Sequence, residues 1–289
     1  MRRRVGLATY ARAPELAPDD QLLLAALEAR GIAAEPAVWS NDAVQWDTFD
    51  AVVIRSCWDY HLSFDAFMAW LDRLEALAVP VYNPPGLVRW NANKRYLLDL
   101  AQRGVPTIPT TIIPQHSFEQ IDSVIAAKGW SRFVIKPAIS ASGYETYSLR
   151  APLDADSRRL VERVTTLGDA LVQPFVEEIS THGEYSFTFI DGEYSHTTLK
   201  RATMGEFRVQ SEHGGTAEPA VSGTEVVSQA ARALAALSDT PLYARVDGVV
   251  LDGVFLLMEM ELIEPNLFLE HGLGAPRRMA EAIAAHLVG

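Results

Sequence analysis

Strand and helix patterns alternate along the first 85 residues, and this alternation limits the possible fold more than any other feature of the sequence. The strand patterns lie at residues 4–9, 35–39, 51–55 and 79–82, and the helical patterns lie at residues 19–30 and 63–78. Strands that alternate with helices form a parallel, doubly wound sheet, which binds ligands at the carboxyl ends of its strands. The sequence therefore predicts an α/β protein with a doubly wound N-terminal domain.

Polar and aromatic side chains follow the third of these strands. Residues 55–60 read Arg-Ser-Cys-Trp-Asp-Tyr, at the sheet edge where a ligand binds. An arginine can hold a carboxylate and an aspartate can hold an ammonium group, a combination that suits an amino acid. We therefore predict a substrate site lined by Arg55, Ser56, Trp58, Asp59 and Tyr60. In the alternative interpretation, Trp58 and Tyr60 pack beneath the next helix, and Arg55 and Asp59 pair with each other.

The composition excludes several classes of function. The chain has 25 Lys and Arg and 37 Asp and Glu residues, a net charge of −12, which disfavours binding to nucleic acid or anionic membranes. A single cysteine, Cys57, excludes a disulfide framework and a cysteine-based zinc site. No apolar run approaches the ~18 residues of a membrane helix, and the stretch after the basic start is too short for a signal peptide. We expect a soluble, cytoplasmic protein.

A break at Asn83-Pro-Pro-Gly86 separates the first region from the rest. Beyond it, the pattern predicts a helix at residues 91–103, followed by mixed strands and helices. The end of the chain is richer in strands and contains two hairpin signals, Asp191-Gly192 and Asp252-Gly253. These changes predict three domains, at residues 1–85, 86–170 and 171–289.

The second hairpin brings carboxylates together. Because side chains alternate between the faces of a strand, Glu259 and Glu261 share one face, and Asp247 lies on the paired strand. Buried carboxylates repel one another unless a cation joins them, and hard oxygen ligands suit Mg²⁺ or Mn²⁺. The apolar runs on either side favour a metal site. The alternative is a solvated strand face on which Arg245 screens the acids.

Only four lysines occur, and one of them, Lys136, ends an apolar strand and precedes Pro137. The small residues of the following loop, 138–143, can offer N–H groups and hydroxyls to a phosphate, and an ordinary turn between strands is the alternative. Lys94 and Lys200 have the pattern of surface side chains when each is considered alone. The sequence contains no Walker-type loop.

A short apolar strand at residues 171–176, Leu-Val-Gln-Pro-Phe-Val, leads into the strand-rich end. Its backbone can present N–H and C=O groups to the edge of a purine. Because Pro174 has no N–H, any donor must come from Phe175 or Val176. A simple linker between domains is the alternative.

Taken in order, these features resemble the ATP-grasp superfamily of ligases. The similarity covers about residues 86–270 and rests on FVIKP (133–137), VQPF (172–175), GEYSF (183–187), YARVDGV (243–249) and MEMELIEPNLF (258–268). The N-terminal region is similar to the pre-grasp domain of D-alanine–D-alanine ligases and glutathione synthetases. The resemblance implies an N-terminal pre-grasp domain followed by a two-lobed ATP-grasp fold, with ATP and Mg²⁺ or Mn²⁺ as cofactors.

The resemblance also implies roles for individual residues. The contacts to ATP would come from Lys94, Lys136, Ser140, Ser142, Gly143, Gln173, Phe175, Val176, Glu184 and Lys200. The metal ligands would be Asp247, Glu259 and Glu261. Arg245, with Arg208, would stabilise the acyl phosphate and the tetrahedral intermediate, and Lys200 would reach the terminal phosphates. Glu261 stands where the common pattern has Asn, which leaves the number of metal ions open.

A narrower similarity links the chain to the cyclo-ligases of the cycloserine pathway, which close O-ureido-D-serine into D-cycloserine. It rests on residues 55–60, on residues 200–208 with His213-Gly-Gly215, and on Glu261-Leu-Ile-Glu-Pro265. The resemblance implies an ADP-forming ligase that joins a carboxylate and an amine of small, amino-acid-like substrates through an acyl phosphate. A grasp-fold kinase and a non-catalytic ATP-binding regulatory protein are the alternatives. Superfamily members are often dimers, so a homodimer is expected.

Overall fold

The N-terminal region forms the predicted parallel, doubly wound sheet. The structure is a computed structural model that describes residues 2–210 and 213–288. The first elements are β1 (Arg4–Thr9), α1 (Pro18–Ala29), β2 (Ala33–Val38), β3 (Ala51–Ser56), α2 (Phe64–Ala76) and β4 (Val81–Tyr82). The four strands are parallel and follow the order β2-β1-β3-β4. The segment after β3 therefore lies at the carboxyl edge of this sheet.

Two short helices replace the single helix predicted at residues 91–103. α3 (Pro85–Asn91) and α4 (Tyr96–Gln102) are separated by a turn that contains Lys94. The N–H of Lys94 donates to the Ala138 carbonyl oxygen at 2.8 Å, which holds the turn against the next lobe. The prediction of a continuous helix is wrong because this contact, made with a distant segment, stabilises a break that helical periodicity does not reveal.

The central lobe is a four-stranded antiparallel sheet covered by two helices. Its elements are β5 (Thr111–Ile113), α5 (Ile121–Lys128), β6 (Arg132–Pro137), β7 (Tyr147–Arg150), α6 (Ala155–Leu167) and β8 (Ala170–Pro174). The strand order is β5-β8-β6-β7. Apolar side chains of α5 and α6 share one core with β6 and β8. This packing fixes the ends of β6 and β8, which carry Lys136 and Gln173.

The C-terminal lobe is a five-stranded antiparallel sheet. Its elements are α7 (Glu177–Thr181), β9 (Glu184–Ile190), β10 (Glu193–Arg201), β11 (Thr216–Ala220), α8 (Thr224–Ala235), β12 (Tyr243–Leu251), β13 (Val254–Glu261) and α9 (Ala275–His286). The strand order is β11-β10-β9-β12-β13. Both predicted hairpins are confirmed. At each turn the Asp and the Gly have positive φ angles, as a type I′ turn requires, with 52° and 78° at Asp191-Gly192.

Polar contacts to the backbone join the N-terminal sheet to the C-terminal lobe. The Asn83 amide group is buried, and it donates to the carbonyl oxygens of Tyr243 at 2.9 Å and Leu262 at 2.8 Å. The Tyr243 hydroxyl donates to the Ile54 carbonyl oxygen at 2.6 Å. A common apolar core with α9 completes this junction. The ends of β3, β12 and β13 are therefore held close together. Within the described residues, no helix is long and apolar enough to cross a membrane.

Candidate active site

A cleft of about 390 Å³ is lined by residues of the N-terminal region and of both lobes. This volume falls in the range of small-molecule sites. The predicted site residues on its walls are Trp58, Tyr60, Lys94, Lys136, Ser140, Ser142, Gly143, Gln173, Phe175, Val176, Glu184, Lys200, Arg208, Arg245, Asp247, Glu259 and Glu261. Arg55, Ser56 and Asp59 are not on its walls. The cleft therefore unites residues from distant parts of the sequence in one site.

The charged floor of the cleft follows from the register of the C-terminal sheet. On β10 and β9, Lys200 lies directly opposite Glu184. On β12 and β13, Arg245 lies opposite Glu261, and Asp247 lies opposite Glu259. Because alternate residues of a strand point to the same side, the two-residue spacing of each motif places these groups on one face.

Lysine and arginine side chains neutralise most of the acids on this floor. Lys200 Nζ lies 2.6 Å from Glu184 Oε1 and 2.9 Å from Asp247 Oδ2. The Arg245 guanidinium lies 2.9 Å from Asp247 and also pairs with Glu261. The carboxylates of the floor are thus stabilised by cations drawn from neighbouring strands.

The pKa values of these acids reflect an excess of negative charge at one end. Burial opposes ionisation of Asp247, but Arg245 and Lys200 outweigh it and hold its pKa well below the usual value. Burial raises the pKa of Glu261 to about 7. The Arg245 charge opposes this increase, and the charges of Asp247 and Glu259 add to it. The end of the floor near Glu261 therefore favours the arrival of a cation.

The three predicted metal ligands have suitable chemistry but are not arranged as a ready metal site. Asp247, Glu259 and Glu261 offer hard oxygen donors on adjacent strands. Among the described residues, however, no three His, Cys, Asp or Glu side chains are grouped to hold a metal ion. Each of the three carboxylates is instead paired with a lysine or an arginine. A metal ion would therefore have to replace cationic side chains.

Two lysines converge on Glu259 from the opposite wall. Lys94 forms an ion pair with Glu259, and Lys136 Nζ lies 3.7 Å from its other oxygen. Burial alone opposes ionisation of Glu259, but these lysines lower its pKa to about 2. Burial lowers the pKa of Lys136, whereas Glu259 keeps the pKa of Lys94 above its usual value. Lys94 is buried, so the surface position that the sequence suggests for it in isolation is wrong.

The small-residue loop after β6 packs under a second loop that carries Arg208. Lys94 Nζ donates to the Ser140 carbonyl oxygen at 2.8 Å, and the Ser140 hydroxyl donates to Pro137 at 3.0 Å. Gly143 has a φ of +68°, and a Cβ there would lie 3.2 Å from Arg208. Glycine is therefore needed at this position for both the backbone conformation and the close approach. This loop and Arg208 therefore line the cleft together.

The predicted adenine hinge lies on the wall between the lobes. Gln173 Nε2 donates to the Thr110 hydroxyl at 3.0 Å. The Phe175 N–H is already used, because it donates to the Arg132 carbonyl oxygen at 3.0 Å. No hydrogen bond among the described residues uses the N–H of Val176. Of the two donors that the sequence left open, Val176 is the one that remains available.

Three predicted substrate contacts lie outside the cleft. Arg55 is fully buried, and its Nε donates to Asp20 Oδ1 at 2.7 Å, while the Ser56 hydroxyl donates to the other Asp20 oxygen at 2.5 Å. Asp59 accepts a hydrogen bond from Trp39 Nε1 at 2.8 Å. The expectation that these residues line the cleft is therefore corrected. The alternative pairing of Arg55 with Asp59 is also wrong, because Asp20 on α1 takes the guanidinium.

Two acidic residues near the cleft, Glu264 and Asp20, were not among the predicted site residues. Glu264 lies on the cleft wall, within a motif that was predicted to supply only Glu259 and Glu261 to the site. Asp20 has the pattern of a helix cap, but α1 begins at Pro18 with Ala17 as its N-cap. The sequence signal for the buried pair of Arg55 and Asp20 is weak. It consists of a carboxylate in the first turn of a helix and an arginine on a later strand.

Comparisons with known proteins identify the family. Residues 5–83 match the family model described as D-cycloserine synthetase DcsG, N-terminal domain. The cycloserine biosynthesis protein DcsG of Streptomyces lavendulae is 35% identical over 277 residues, which cover 92% of each chain. This chain belongs to the D-cycloserine synthetase family. The crystal structure of D-cycloserine synthetase DcsG has a TM-score of 0.88 at 34% identity and covers 98% of this chain and 99% of its own.

The fold is that of the ATP-grasp ligases. The D-alanine–D-alanine ligase of Bacillus anthracis has a TM-score of 0.68 at 15% identity, covering 99% of this chain and 97% of its own. It has been solved with ATP, and the ATP-grasp ligase PsnB has been solved with Mg and ADP. The D-cycloserine synthetase family thus has the ATP-grasp fold, and its members are ligases that form carbon–nitrogen bonds. The chain is an ATP-dependent ligase of this kind.

Proposed function

We propose that this chain is a cyclo-ligase of antibiotic biosynthesis that closes O-ureido-D-serine into D-cycloserine and releases ADP and phosphate. The observation that carries the proposal is the convergence of three lysines, Arg245 and the floor carboxylates in one cleft of a chain so similar to D-cycloserine synthetase. A regulatory ATP-binding protein has no need of such a set of charges. The expected homodimer and cytoplasmic location stay predictions.

The ion pairs of the cleft support a mode of binding in which ATP phosphates and a divalent cation replace the present partners of the lysines and the carboxylate. Lys94 and Lys136 now neutralise Glu259 and are already directed into the cleft. When a polyphosphate enters with a divalent cation, the lysines can turn to the phosphate oxygens while the cation takes their place beside the carboxylate. Opposite charges stay paired before and after, which limits the cost of burying them. Asp247, Glu259 and Glu261 would hold the cation, which offsets the charge of the terminal phosphates.

The remaining ATP contacts are assigned to the hinge and to the small-residue loop after β6. We infer that Val176 donates to the adenine edge while Gln173 and Phe175 form its surroundings. Glu184 is assigned to the ribose hydroxyls, and the loop at residues 140–143 to the phosphates, through Ser140, Ser142 and Gly143. Lys200 lies between Glu184 and Asp247 and is assigned to the terminal phosphates.

The proposed chemistry needs positioning and charge stabilisation more than acid–base groups. The substrate carboxylate attacks the γ-phosphorus of ATP, which gives an acyl phosphate and ADP. The oxygen-bound nitrogen of the same molecule then attacks the acyl carbon, phosphate leaves, and the carbamoyl group on that nitrogen is lost to water as carbon dioxide and ammonia. Arg245 and Arg208 are cations on the cleft wall that can stabilise the oxyanion of this second step. Because both reacting groups belong to one molecule, holding it in a bent conformation supplies much of the rate enhancement.

Lys136→Met is expected to weaken ATP binding about 10- to 100-fold, because a charge-assisted contact contributes on the order of 1.5–3 kcal/mol. Methionine keeps the apolar stem of the side chain and removes its charge. Calorimetry with Mg-ATP measures the effect, and Lys128→Met, at the exposed end of α5, serves as the control. An unchanged dissociation constant in the Lys136 variant would refute the phosphate contact.

Incubation with O-ureido-D-serine and Mg-ATP is expected to give ADP, phosphate, D-cycloserine, carbon dioxide and ammonia, with ADP and cycloserine in equal amounts. Chromatography of the nucleotide and amino-acid products measures this result. AMP as the main nucleotide would overturn the proposed mechanism. ADP together with a phosphorylated hydroxyl compound would instead favour the grasp-fold kinase. ADP release with another amino acid alone would retain the ligase and replace the substrate.

A further inference from the structure

The loop that follows β13 is held firmly by the N-terminal region. Trp58 Nε1 donates to the Glu264 carbonyl oxygen at 2.9 Å, and Arg55 Nη2 donates to the Pro265 carbonyl oxygen at 2.7 Å. The Asp19 carboxylate accepts the N–H groups of two further loop residues. The loop at 264–269 is thus positioned by Arg55 on β3, Trp58 just after it and Asp19 on α1. Arg55 is a positioning residue in place of the substrate contact that the sequence suggested.

Glu264 brings a carboxylate without a cationic partner to the cleft wall. The cations of the floor pair with other acids: the lysines with Glu184, Asp247 and Glu259, and Arg245 with Asp247 and Glu261. No Lys, Arg or His of residues 2–210 or 213–288 forms an ion pair with Glu264. Trp58 and Tyr60 line the same cleft, and both are close to Glu264. The Trp58 indole N–H donates to the Glu264 backbone oxygen, and the Glu264 charge adds to the effect of burial in raising the pKa of Tyr60.

The electrostatics of this corner favour a cationic ligand. Burial raises the pKa of Glu264 to about 8, and the negative charge of Glu261 contributes to the increase. Lys94 acts in the opposite direction but is engaged by Glu259. A ligand that carries a positive charge would supply the compensation that the protein itself does not provide.

We propose that Glu264, with the aromatic side chains of Trp58 and Tyr60 beside it, binds the ammonium group of an amino-acid substrate. A carboxylate next to aromatic rings is a suitable receptor for an ammonium ion, because a charge-assisted hydrogen bond and cation–π attraction act together. The inference deepens the proposed function and rests on it for the identity of the substrate. It gives the cleft a means of selecting amino acids over plain carboxylic acids.

The test compares ligands with and without the ammonium group. O-ureido-D-serine is paired with its desamino analogue, 3-(carbamoylaminooxy)propanoic acid, and D-serine is paired with 3-hydroxypropanoic acid. Calorimetry measures each dissociation constant in the presence of Mg²⁺ and a non-hydrolysable ATP analogue. The wild type is expected to bind each amino compound about 10- to 100-fold more tightly than its partner.

Glu264→Gln is expected to reduce this preference to within about 3-fold, because the amide keeps the shape and loses the charge. Glu264→Asp retains the charge and should keep most of the preference. Glu193→Gln removes the same charge from an exposed position at the start of β10 and should leave the preference unchanged. Thermal melting and the affinity for the ATP analogue check that the variants remain folded.

The two proposals fail in different ways. A wild type without a preference for the ammonium group, or a Glu264→Gln variant that keeps it, would overturn the ammonium site even if O-ureido-D-serine is converted. If O-ureido-D-serine is not converted but the preference for D-serine over 3-hydroxypropanoic acid depends on Glu264, the ammonium site stands and only the proposed substrate is replaced.

Discussion

Glu259→Gln is expected to lower turnover by at least about 100- to 1,000-fold while the protein stays folded. Glu259 faces Asp247 across two strands and receives both Lys94 and Lys136, so it is the point at which the proposed cation site and the phosphate-binding lysines meet. Loss of one preorganised electrostatic group in an active site has an effect of this size. Turnover with increasing Mg²⁺ and the thermal melting temperature are the measurements.

The control for this variant is again Glu193→Gln, which removes one acidic charge far from the cleft. Turnover close to that of the control would rule out Glu259 as a metal ligand. If the Gln variant melts at a lower temperature, Glu259→Asp separates the two effects, because it keeps the charge opposite the lysines. A strong dependence of the Asp variant on the Mg²⁺ concentration is then the expected result.

Arg55→Ala is expected to lower the free energy of unfolding by about 3–5 kcal/mol. Removal of one member of a buried ion pair leaves the other charge uncompensated, and this loss is typical of such a change. Here Asp20 would keep only the Ser56 hydroxyl, and the Pro265 carbonyl oxygen would lose its donor. Urea denaturation measures the effect.

An exposed ion pair provides the matched comparison for Arg55. Arg3 pairs with Asp50 at 2.9 Å, with 54% and 33% of the two side chains exposed. Arg3→Ala is expected to cost less than about 1 kcal/mol, because water solvates the remaining charge. A loss of similar size in the two variants would contradict the structural role assigned to Arg55.

The sequence predicted the parts of the fold that depend on local spacing. Alternating strands and helices fixed the parallel N-terminal sheet, and each Asp-Gly pair fixed a hairpin. The charged floor was also predictable, because the two-residue period of a strand places Glu259 and Glu261 on one face wherever the strand lies.

Features that depend on distant partners could not be predicted from spacing. The break at Lys94 depends on a hydrogen bond to the loop after β6. The buried position of Arg55 depends on Asp20, 35 residues earlier, and on Pro265, 210 residues later. The Phe175 N–H is taken by the Arg132 carbonyl oxygen, so within residues 2–210 and 213–288 the Val176 N–H is the hinge donor without a partner. The spacing of residues along the sequence does not indicate which distant residues tertiary packing brings into contact.

Transfer of oxygen-18 from the substrate carboxylate tests the central claim most directly. O-ureido-D-serine labelled in its carboxyl group is converted with Mg-ATP, and the released phosphate is examined by mass spectrometry. If the carboxylate attacks the γ-phosphorus and phosphate later leaves the acyl carbon, one labelled oxygen per turnover appears in phosphate. Unlabelled phosphate alongside ADP, or label recovered in AMP, would contradict activation of the carboxylate as an acyl phosphate.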